Sequence, residues 1–249
     1  MTMRPRVLVV AGTDSSGGAG LSRDVEALSA FGVRASVAVT AVTAQTHDRV
    51  AAVEPISSAL VAAQMTAALE AEPTGAVKIG MLATKGTVEA VASVLREHAH
   101  IPVVLDPVLV SSSGGILLEK EAIAVLKRGL LPLCRLATPN WPELAVLANA
   151  RPAEDEEAAL RQGEALLETG CQALLVKGGH APEREKSTDI LLRRGEAPLR
   201  FDAPRANTTL RGSGCLLASG ITGGLAKGMT LEEGIALAKE QVSRMFAAR

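Results

Sequence analysis

Two hydrophobic patterns alternate along the chain. Short, continuously apolar runs rich in Val, Ile and Leu predict strands covered on both faces, at 6–11, 34–40, 76–79, 103–105, 136–138 and 173–177. Stretches with the period of an amphipathic helix separate them, at 21–31, 58–71, 84–98, 122–130, 142–149, 156–169, 213–227 and 231–246. This alternation predicts an α/β fold, namely a doubly wound, mainly parallel central sheet flanked by helices on both faces.

A different pattern precedes the last two helices. Two apolar segments, 190–194 and 199–203, are separated by Gly195 and Glu196 and predict a β-hairpin. We therefore expect the sheet to be mixed at that edge. Because no repeat, linker or low-complexity tract interrupts the pattern, the sequence predicts a single domain, 1–249.

Composition narrows the possible functions. Hydrophobic residues make up 47% and charged residues 21%, which is typical of a globular protein with a sizeable core. Lys and Arg number 26 against 27 Asp and Glu, so no basic surplus favours nucleic-acid binding. No apolar run approaches the ~20 residues of a membrane span. The three widely spaced cysteines form no CxxC pair, which favours the cytoplasm.

The segment GTDSSGGAG, 12–20, follows the first strand and opens a helix. Small residues let main-chain N–H groups approach a ligand, although a tight connection is an equally good interpretation. The segment fits neither the Walker nor the dinucleotide-binding pattern. Asp24, in the first turns of the helix, either complements the helix dipole or receives a substrate hydroxyl.

A second glycine cluster, RGSGC at 211–215, opens another helix. The N–H groups at a helix start lack partners and attract anions, so Gly212, Ser213 and Gly214 form a candidate anion hole. Cys215 lies at the same helix start, where the dipole can lower the pKa of a thiol and make it a base or nucleophile. A small buried structural cysteine is the alternative.

Polar side chains follow three further strands. Asp106 ends one strand, Asn140 and Glu143 follow the next, and Lys177 ends a third. Oxygen ligands suit a Mg²⁺ ion that keeps much of its water and binds phosphates, whereas a helix cap and a first-turn acid explain Asn140 and Glu143 equally well. Lys177, beside the candidate anion hole, could neutralise transferring phosphate oxygens, although a surface lysine unrelated to any site is the commoner case for a single residue.

Seven segments, taken in their order along the chain, resemble those of the hydroxymethylpyrimidine/phosphomethylpyrimidine kinases of thiamine biosynthesis. These kinases belong to the ribokinase-like superfamily. The segments are GTDSSGGAGLSRD, AVTAQ, KIGML, VVLDPVLVSSSG, LLPLCRLATPNWPEL, LLVKGGH and GSGC, and the match covers about 7–239. The resemblance implies an ATP- and Mg²⁺-dependent, cytoplasmic homodimeric kinase. Its small-molecule substrate would be 4-amino-5-hydroxymethyl-2-methylpyrimidine and then the monophosphate.

The resemblance also implies roles for individual residues. Gly12, Asp24, Gln45, Met81 and Val108 would surround the aminopyrimidine. The Mg-ATP side would comprise Asp106, Asn140, Glu143 and Lys177, with Asp106 and Glu143 holding the metal through water. The anion hole and Lys177 would be catalytic, with Cys215 where ribokinase itself has an aspartate base.

The chain departs from the family in its first loop, where Ser15 stands for the usual Pro, and at two further loops. Thr46, His47, Asp48 and Arg49 stand where the family usually has NTRG, and Arg211 and Ser213 replace a His and a Thr before and within the anion hole. Two alternatives to the pyrimidine kinase therefore stay open at this point. One is a pyridoxal-type kinase of the same superfamily, and the other is a non-catalytic relative that only binds the pyrimidine.

Overall fold

The structure is a computed structural model that describes residues 4–111, 114–180, 186–205 and 211–247. Its strands are β1 Arg6–Ala11, β2 Arg34–Val39, β3 Ala41–Gln45, β4 Val50–Pro55, β5 Ala76–Ile79, β6 Val103–Leu105, β7 Leu136–Ala137, β8 Leu174–Val176, β9 Lys186–Leu192 and β10 Leu199–Pro204. Its α-helices are α1 Gly20–Ala30, α2 Ser58–Ala71, α3 Lys85–Glu97, α4 Lys120–Val125, α5 Trp141–Ala148, α6 Glu156–Leu167, α7 Ser213–Ala226 and α8 Leu231–Ala247.

The central sheet has eight strands in the order β10-β9-β8-β7-β6-β5-β1-β2. The six strands from β8 to β2 are parallel, and β9 and β10 add an antiparallel hairpin at the edge. Because β1 connects to β2 on one side and β5 pairs with it on the other, the strand order reverses between β1 and β5. Ligands of such sheets bind at this reversal, beyond the carboxyl ends of the strands.

Alternate residues of each strand face opposite layers of helices. In β1, Leu8 and Val10 pack in the core shared with α2 to α6, whereas Val7 and Val9 pack in the core shared with α1, α7 and α8. Both cores are almost entirely aliphatic, as the scarcity of aromatic residues requires. The predicted fold class is confirmed, since helices cover both faces of a mainly parallel sheet.

The predicted strands and helices are present with bounds within a few residues, but one hairpin was missed. Strands β3 and β4 form a separate two-stranded antiparallel sheet. Strand β4, VAAVEP, exposes most of its residues and lacks the alternation of buried and exposed positions of a half-buried strand, so its four apolar residues do not mark a core strand. Helix α4 also ends earlier than predicted, continuing through a π-helical turn, Leu126–Leu130. No helix in the described part of the chain is long and apolar enough to cross a bilayer.

Candidate active site

A small apolar cluster lies at the reversal of strand order. Gly12 follows β1 and Met81 follows β5, and a Cβ atom on Gly12 would lie only 2.9 Å from Met81 Sδ. Met81 packs in a small cluster with Ala41 and Ala83, and partly buried Val108 lies against it. The structure therefore brings together three residues predicted to surround the substrate ring: Gly12, Met81 and Val108.

Gln45 is the last residue of β3, in the β3–β4 hairpin, and lies at this edge of the sheet. Its main chain pairs with Ser15, whose Oγ accepts from Gln45 N at 2.8 Å and donates to Gln45 O at 2.9 Å. Thr43 makes the same kind of contact with Thr13, its Oγ1 donating to Thr13 O at 2.8 Å. The hairpin therefore packs on the first glycine-rich loop, which places Gln45 beside the segment 12–20.

Lys177 and Asp106 form the charged centre of the site. Lys177 Nζ donates to Asp106 Oδ1 at 2.7 Å, and Thr138 Oγ1 donates to the same oxygen at 3.1 Å. Burial would raise the pKa of Asp106, but Lys177 and then Lys78 outweigh it and hold that pKa below its usual value. The carboxylate therefore stays ionised and keeps the Lys177 ammonium at the carboxyl edge of the sheet.

Asn140 and Glu143 cap helix α5 as a reciprocal pair. Glu143 N donates to Asn140 Oδ1 and Asn140 N donates to Glu143 Oε2, both at 2.8 Å. Glu143 Oε2 also lies 3.7 Å from Lys177 Nζ. Burial raises the pKa of Glu143 to about 7, Lys177 opposing and Asp106 reinforcing the rise. The cap interpretation of both residues is thus correct, and Glu143 in addition borders the charged centre.

The start of helix α7 faces the same ammonium. A Cβ atom on Gly214 would lie 3.2 Å from Lys177 Nζ and 3.7 Å from Asp106 Oδ2. The N-cap residue, Gly212, adopts a left-handed conformation with φ 73° and has no side chain that could cap the helix. The N–H groups of the first turn, which begins at Ser213, therefore receive no hydrogen bond from an N-cap side chain. The predicted anion hole and Lys177 are therefore adjacent, as a site for phosphoryl groups requires.

Cys215 differs from the expectation of a low thiol pKa. The main chain of Gly20 hydrogen-bonds to its side chain, which places it between the two glycine-rich segments. Removal of water raises the pKa of Cys215 to about 11; Lys78 lowers it less than burial raises it, and Asp24 and Asp106 add to the rise. The prediction that the helix start makes this thiol acidic is therefore wrong, because desolvation and two carboxylates outweigh the dipole.

Asp24 also differs from its predicted role. It is fully buried, and its two oxygens accept from Lys78 Nζ at 2.8 Å and Ser219 Oγ at 2.7 Å. This geometry does not support a contact with the substrate, nor an exposed acid that complements the dipole of α1. Asp24 instead neutralises Lys78, whose pKa is raised by that carboxylate although burial opposes the rise.

Lys78 is a residue of the site that the sequence reasoning missed. It lies fully buried in β5. Its Nζ passes close to Gly80, since a Cβ atom added to Gly80 would lie 2.9 Å from Lys78 Nζ. Its charge acts on both Asp106 and Cys215. The signal was a lysine in the middle of the buried strand AVKI, since such a charge persists only when paired.

The oxygen ligands available to a cation are few. Among the described residues, no three His, Cys, Asp or Glu side chains cluster closely enough to hold a metal ion. Asp106 Oδ1 is committed to Lys177 and Thr138, which leaves Oδ2 toward the start of α7, and Glu143 lies alongside. This set fits a Mg²⁺ ion that retains most of its water and is completed by phosphate oxygens.

Comparison with known proteins agrees with this geometry. The family described as phosphomethylpyrimidine kinase matches residues 14–249. The chain belongs to this family. The hydroxymethylpyrimidine/phosphomethylpyrimidine kinase of Rhizobium meliloti (strain 1021) is 42% identical over 242 residues, which cover 97% of this chain and 90% of that protein.

Two solved structures share the fold of this family member. The phosphomethylpyrimidine kinase of Clostridium difficile 630 is 32% identical with a TM-score of 0.84, covering 97% of this chain and 99% of that chain. An ADP complex of Bacillus subtilis pyridoxal kinase is 28% identical with a TM-score of 0.87, covering 96% of this chain and 90% of that chain. The predicted ribokinase-like architecture is confirmed.

Proposed function

We propose that this family member transfers a phosphoryl group from ATP to the hydroxymethyl oxygen of 4-amino-5-hydroxymethyl-2-methylpyrimidine, and then to the resulting monophosphate, in thiamine biosynthesis. The observation that carries the proposal is the meeting of Lys177, Asp106 and the start of α7, since a Cβ on Gly214 would lie 3.2 Å from Lys177 Nζ. Gly12 and Met81 lie at the reversal of strand order, where such sheets bind ligands. Family membership and the ADP complex of the Bacillus subtilis pyridoxal kinase support a nucleotide as phosphoryl donor.

The side chains contribute charge stabilisation and positioning. Negative charge spreads over the equatorial oxygens of a transferring phosphoryl group, and fixed donors stabilise it. Lys177 supplies one such charge, held by Asp106, and the N–H groups at the start of α7 supply oriented dipoles. When bound, Mg²⁺ would neutralise phosphate oxygens, with Asp106 and Glu143 holding it through water.

The attacking hydroxyl must lose its proton, and Cys215 does not supply a ready base for it. With a pKa of about 11, Cys215 is a neutral thiol near pH 7 and offers little thiolate as a base. Phosphoryl transfer passes through a loose transition state in most analyses, so the hydroxyl can lose its proton late, to an oxygen of the transferred phosphoryl group. Cys215 remains beside the anion hole as a proposed catalytic residue, without the role of a base.

Turnover of three substrates in parallel tests the proposal. ADP release is measured with hydroxymethylpyrimidine, its monophosphate and pyridoxal; activity on both pyrimidines, with a higher kcat/KM than for pyridoxal, is expected. The pyridoxal alternative is kept because a pyridoxal kinase shares the fold with a TM-score of 0.87. Binding of the pyrimidine without ADP release would establish the non-catalytic alternative instead.

Assembly and location complete the proposal. The resemblance supports a homodimer, and the free thiols of Cys134, Cys171 and Cys215 fit the reducing cytoplasm. Sedimentation at several protein concentrations tests the dimer. A monomer at all concentrations would remove it without affecting the proposed reaction.

A further inference from the structure

Arg211 joins three segments around the proposed pyrimidine site. Its side chain is 15% exposed. The Nη1 atom donates to the main-chain oxygen of Thr46, and Nη2 donates to Gln45 Oε1 at 2.9 Å. Nη2 also lies 3.3 Å from Asp14 Oδ2. One guanidinium therefore ties the first glycine-rich loop, the β3–β4 hairpin and the segment that leads into α7.

The contact with Arg211 determines which end of the Gln45 side-chain amide is the acceptor and which is the donor. A glutamine side chain presents an acceptor oxygen at one end of its amide and a two-proton donor at the other, and it can rotate to exchange them. A guanidinium has only donors, so the end of the amide that faces Arg211 must be Oε1. Nε2 is then fixed at the opposite end. Because an amide oxygen accepts two hydrogen bonds, Oε1 still has one lone pair for a ligand.

We propose that Arg211 is a positioning residue that fixes the amide of Gln45 and so selects a ring with an amino group next to a ring nitrogen. Such a ring edge offers a donor to Oε1 and an acceptor to Nε2, in one orientation only. This inference rests on the proposed function, which places the aminopyrimidine at Gln45. It adds the residue that determines which way round the ring is bound.

The surroundings of Arg211 disfavour a role in binding the phosphate of the monophosphate substrate. Its charge is paired with Asp14, whose other oxygen accepts from Ser16 N at 2.8 Å and Ser16 Oγ at 2.7 Å. Asp14 is buried and held in place by these contacts. A phosphate would therefore meet a guanidinium that is already neutralised.

A double-mutant cycle tests the proposal on the full chain. The variants are Arg211→Leu, Gln45→Leu and the double substitution, assayed with hydroxymethylpyrimidine and with the analogue that lacks the 4-amino group. We expect Arg211→Leu to raise KM for the aminopyrimidine about tenfold while kcat changes less than about twofold. We also expect the preference for the amino compound to fall about fivefold. In the Gln45→Leu background, Arg211→Leu should add nothing further, since the group it orients is gone.

Two more variants separate orientation of the amide from bracing of the loops. Gln45→Glu keeps an acceptor for Arg211 but removes the donor, so it should raise KM as much as Gln45→Leu does. Arg211→Lys keeps a cationic donor and should restore part of the lost affinity. The matched control is Arg194→Leu, because Arg194 likewise donates to a main-chain oxygen, Leu167 O at 3.3 Å, and to a carboxylate, Glu168 Oε2 at 3.1 Å. It lies beyond the amino end of β8, away from the site.

The outcomes are distinguishable. Effects of Arg211→Leu and Gln45→Leu that multiply in the double variant would overturn the assignment, as would a KM left unchanged by Gln45→Glu. A loss confined to the monophosphate substrate would make Arg211 a phosphate contact and also overturn it. If the unmodified protein turns over neither pyrimidine, the proposed function itself fails. If it turns them over but the effects of the two substitutions multiply, only the role of Arg211 is removed.

Discussion

Lys177 Nζ donates a hydrogen bond to Asp106 Oδ1 at 2.7 Å, although 71 residues separate the two along the chain. Each follows the carboxyl end of a parallel strand, β8 for Lys177 and β6 for Asp106, with β7 between them. The contact holds the Lys177 ammonium against the start of α7, at the proposed phosphoryl-transfer site.

Replacing Lys177 tests its role in charge stabilisation. Lys177→Ala should lower kcat roughly 10²- to 10³-fold, because it removes a charge that acts mainly in the transition state. KM for the pyrimidine should change little, since the ring is proposed to lie at Gly12 and Met81. Steady-state kinetics on both pyrimidines measure this, and an effect confined to the pyrimidine KM would contradict it. Thermal unfolding identifies any loss due to the uncompensated Asp106 carboxylate.

The buried pair of Lys78 and Asp24 is expected to behave asymmetrically. Lys78→Met should lower the free energy of unfolding by about 3–5 kcal/mol, because it leaves the Asp24 carboxylate buried without its partner. The double variant Lys78→Met, Asp24→Leu should recover most of that loss. Urea denaturation measures both. A double variant less stable than Lys78→Met alone would show that the pair itself, and not the unpaired charge, determines stability.

Glu143 should make stability depend on pH. Its pKa of about 7 lies above the unfolded value of about 4.5, so the folded state binds a proton that the unfolded state has lost. The stabilisation is present below pH about 4.5 and is lost as pH rises to about 7, by roughly 2–3 kcal/mol. Glu143→Gln keeps the cap and removes the titration. We expect this variant to gain stability relative to the parent protein between pH 5 and 8; parallel stability profiles would contradict this.

Gly212 should not tolerate a side chain. Its φ of 73° is costly for alanine, and a Cβ there would overlap Gly18 O. Gly32 is the matched control, with φ of 67° and nothing within 4 Å of a Cβ, so Gly32→Ala should cost only the about 1–2 kcal/mol of the left-handed conformation. Gly212→Ala should cost clearly more and abolish turnover, because the two glycine-rich segments must separate. Equal unfolding free energies of the two variants would rule out the close contact.

The thiol of Cys215 should react slowly at neutral pH. Since only the thiolate is nucleophilic and the pKa is about 11, its alkylation by iodoacetamide should rise with pH without a plateau up to pH 10. Mass spectrometry of the labelled peptide distinguishes it from buried Cys134 and Cys171. A plateau near pH 7 would restore the thiolate base that the sequence first suggested.

The sequence determined the layout of the fold because its signals are local. The apolar runs and helical periods located the core strands and the helices, and the strand-end positions of Asp106 and Lys177 followed from them, since parallel strands place their carboxyl ends at one edge. Gly12 was located as the residue that follows β1, and the glycines at 212 and 214 were located because they open a predicted helix. The hairpin β3–β4 was not, because its residues are largely exposed and their pairing depends on contacts with the loop at 12–20.

Only the tertiary structure decided the electrostatics. The helix start alone predicts an acidic Cys215, whereas burial and the nearby carboxylates Asp24 and Asp106 reverse the direction of its pKa. Asp24 looked available to a substrate until Lys78, 54 residues away, proved to occupy it. Arg211 reaches Gln45 across 166 residues. Charges and donors act through distance and solvent exposure, and folding sets both in ways that spacing along the chain does not encode.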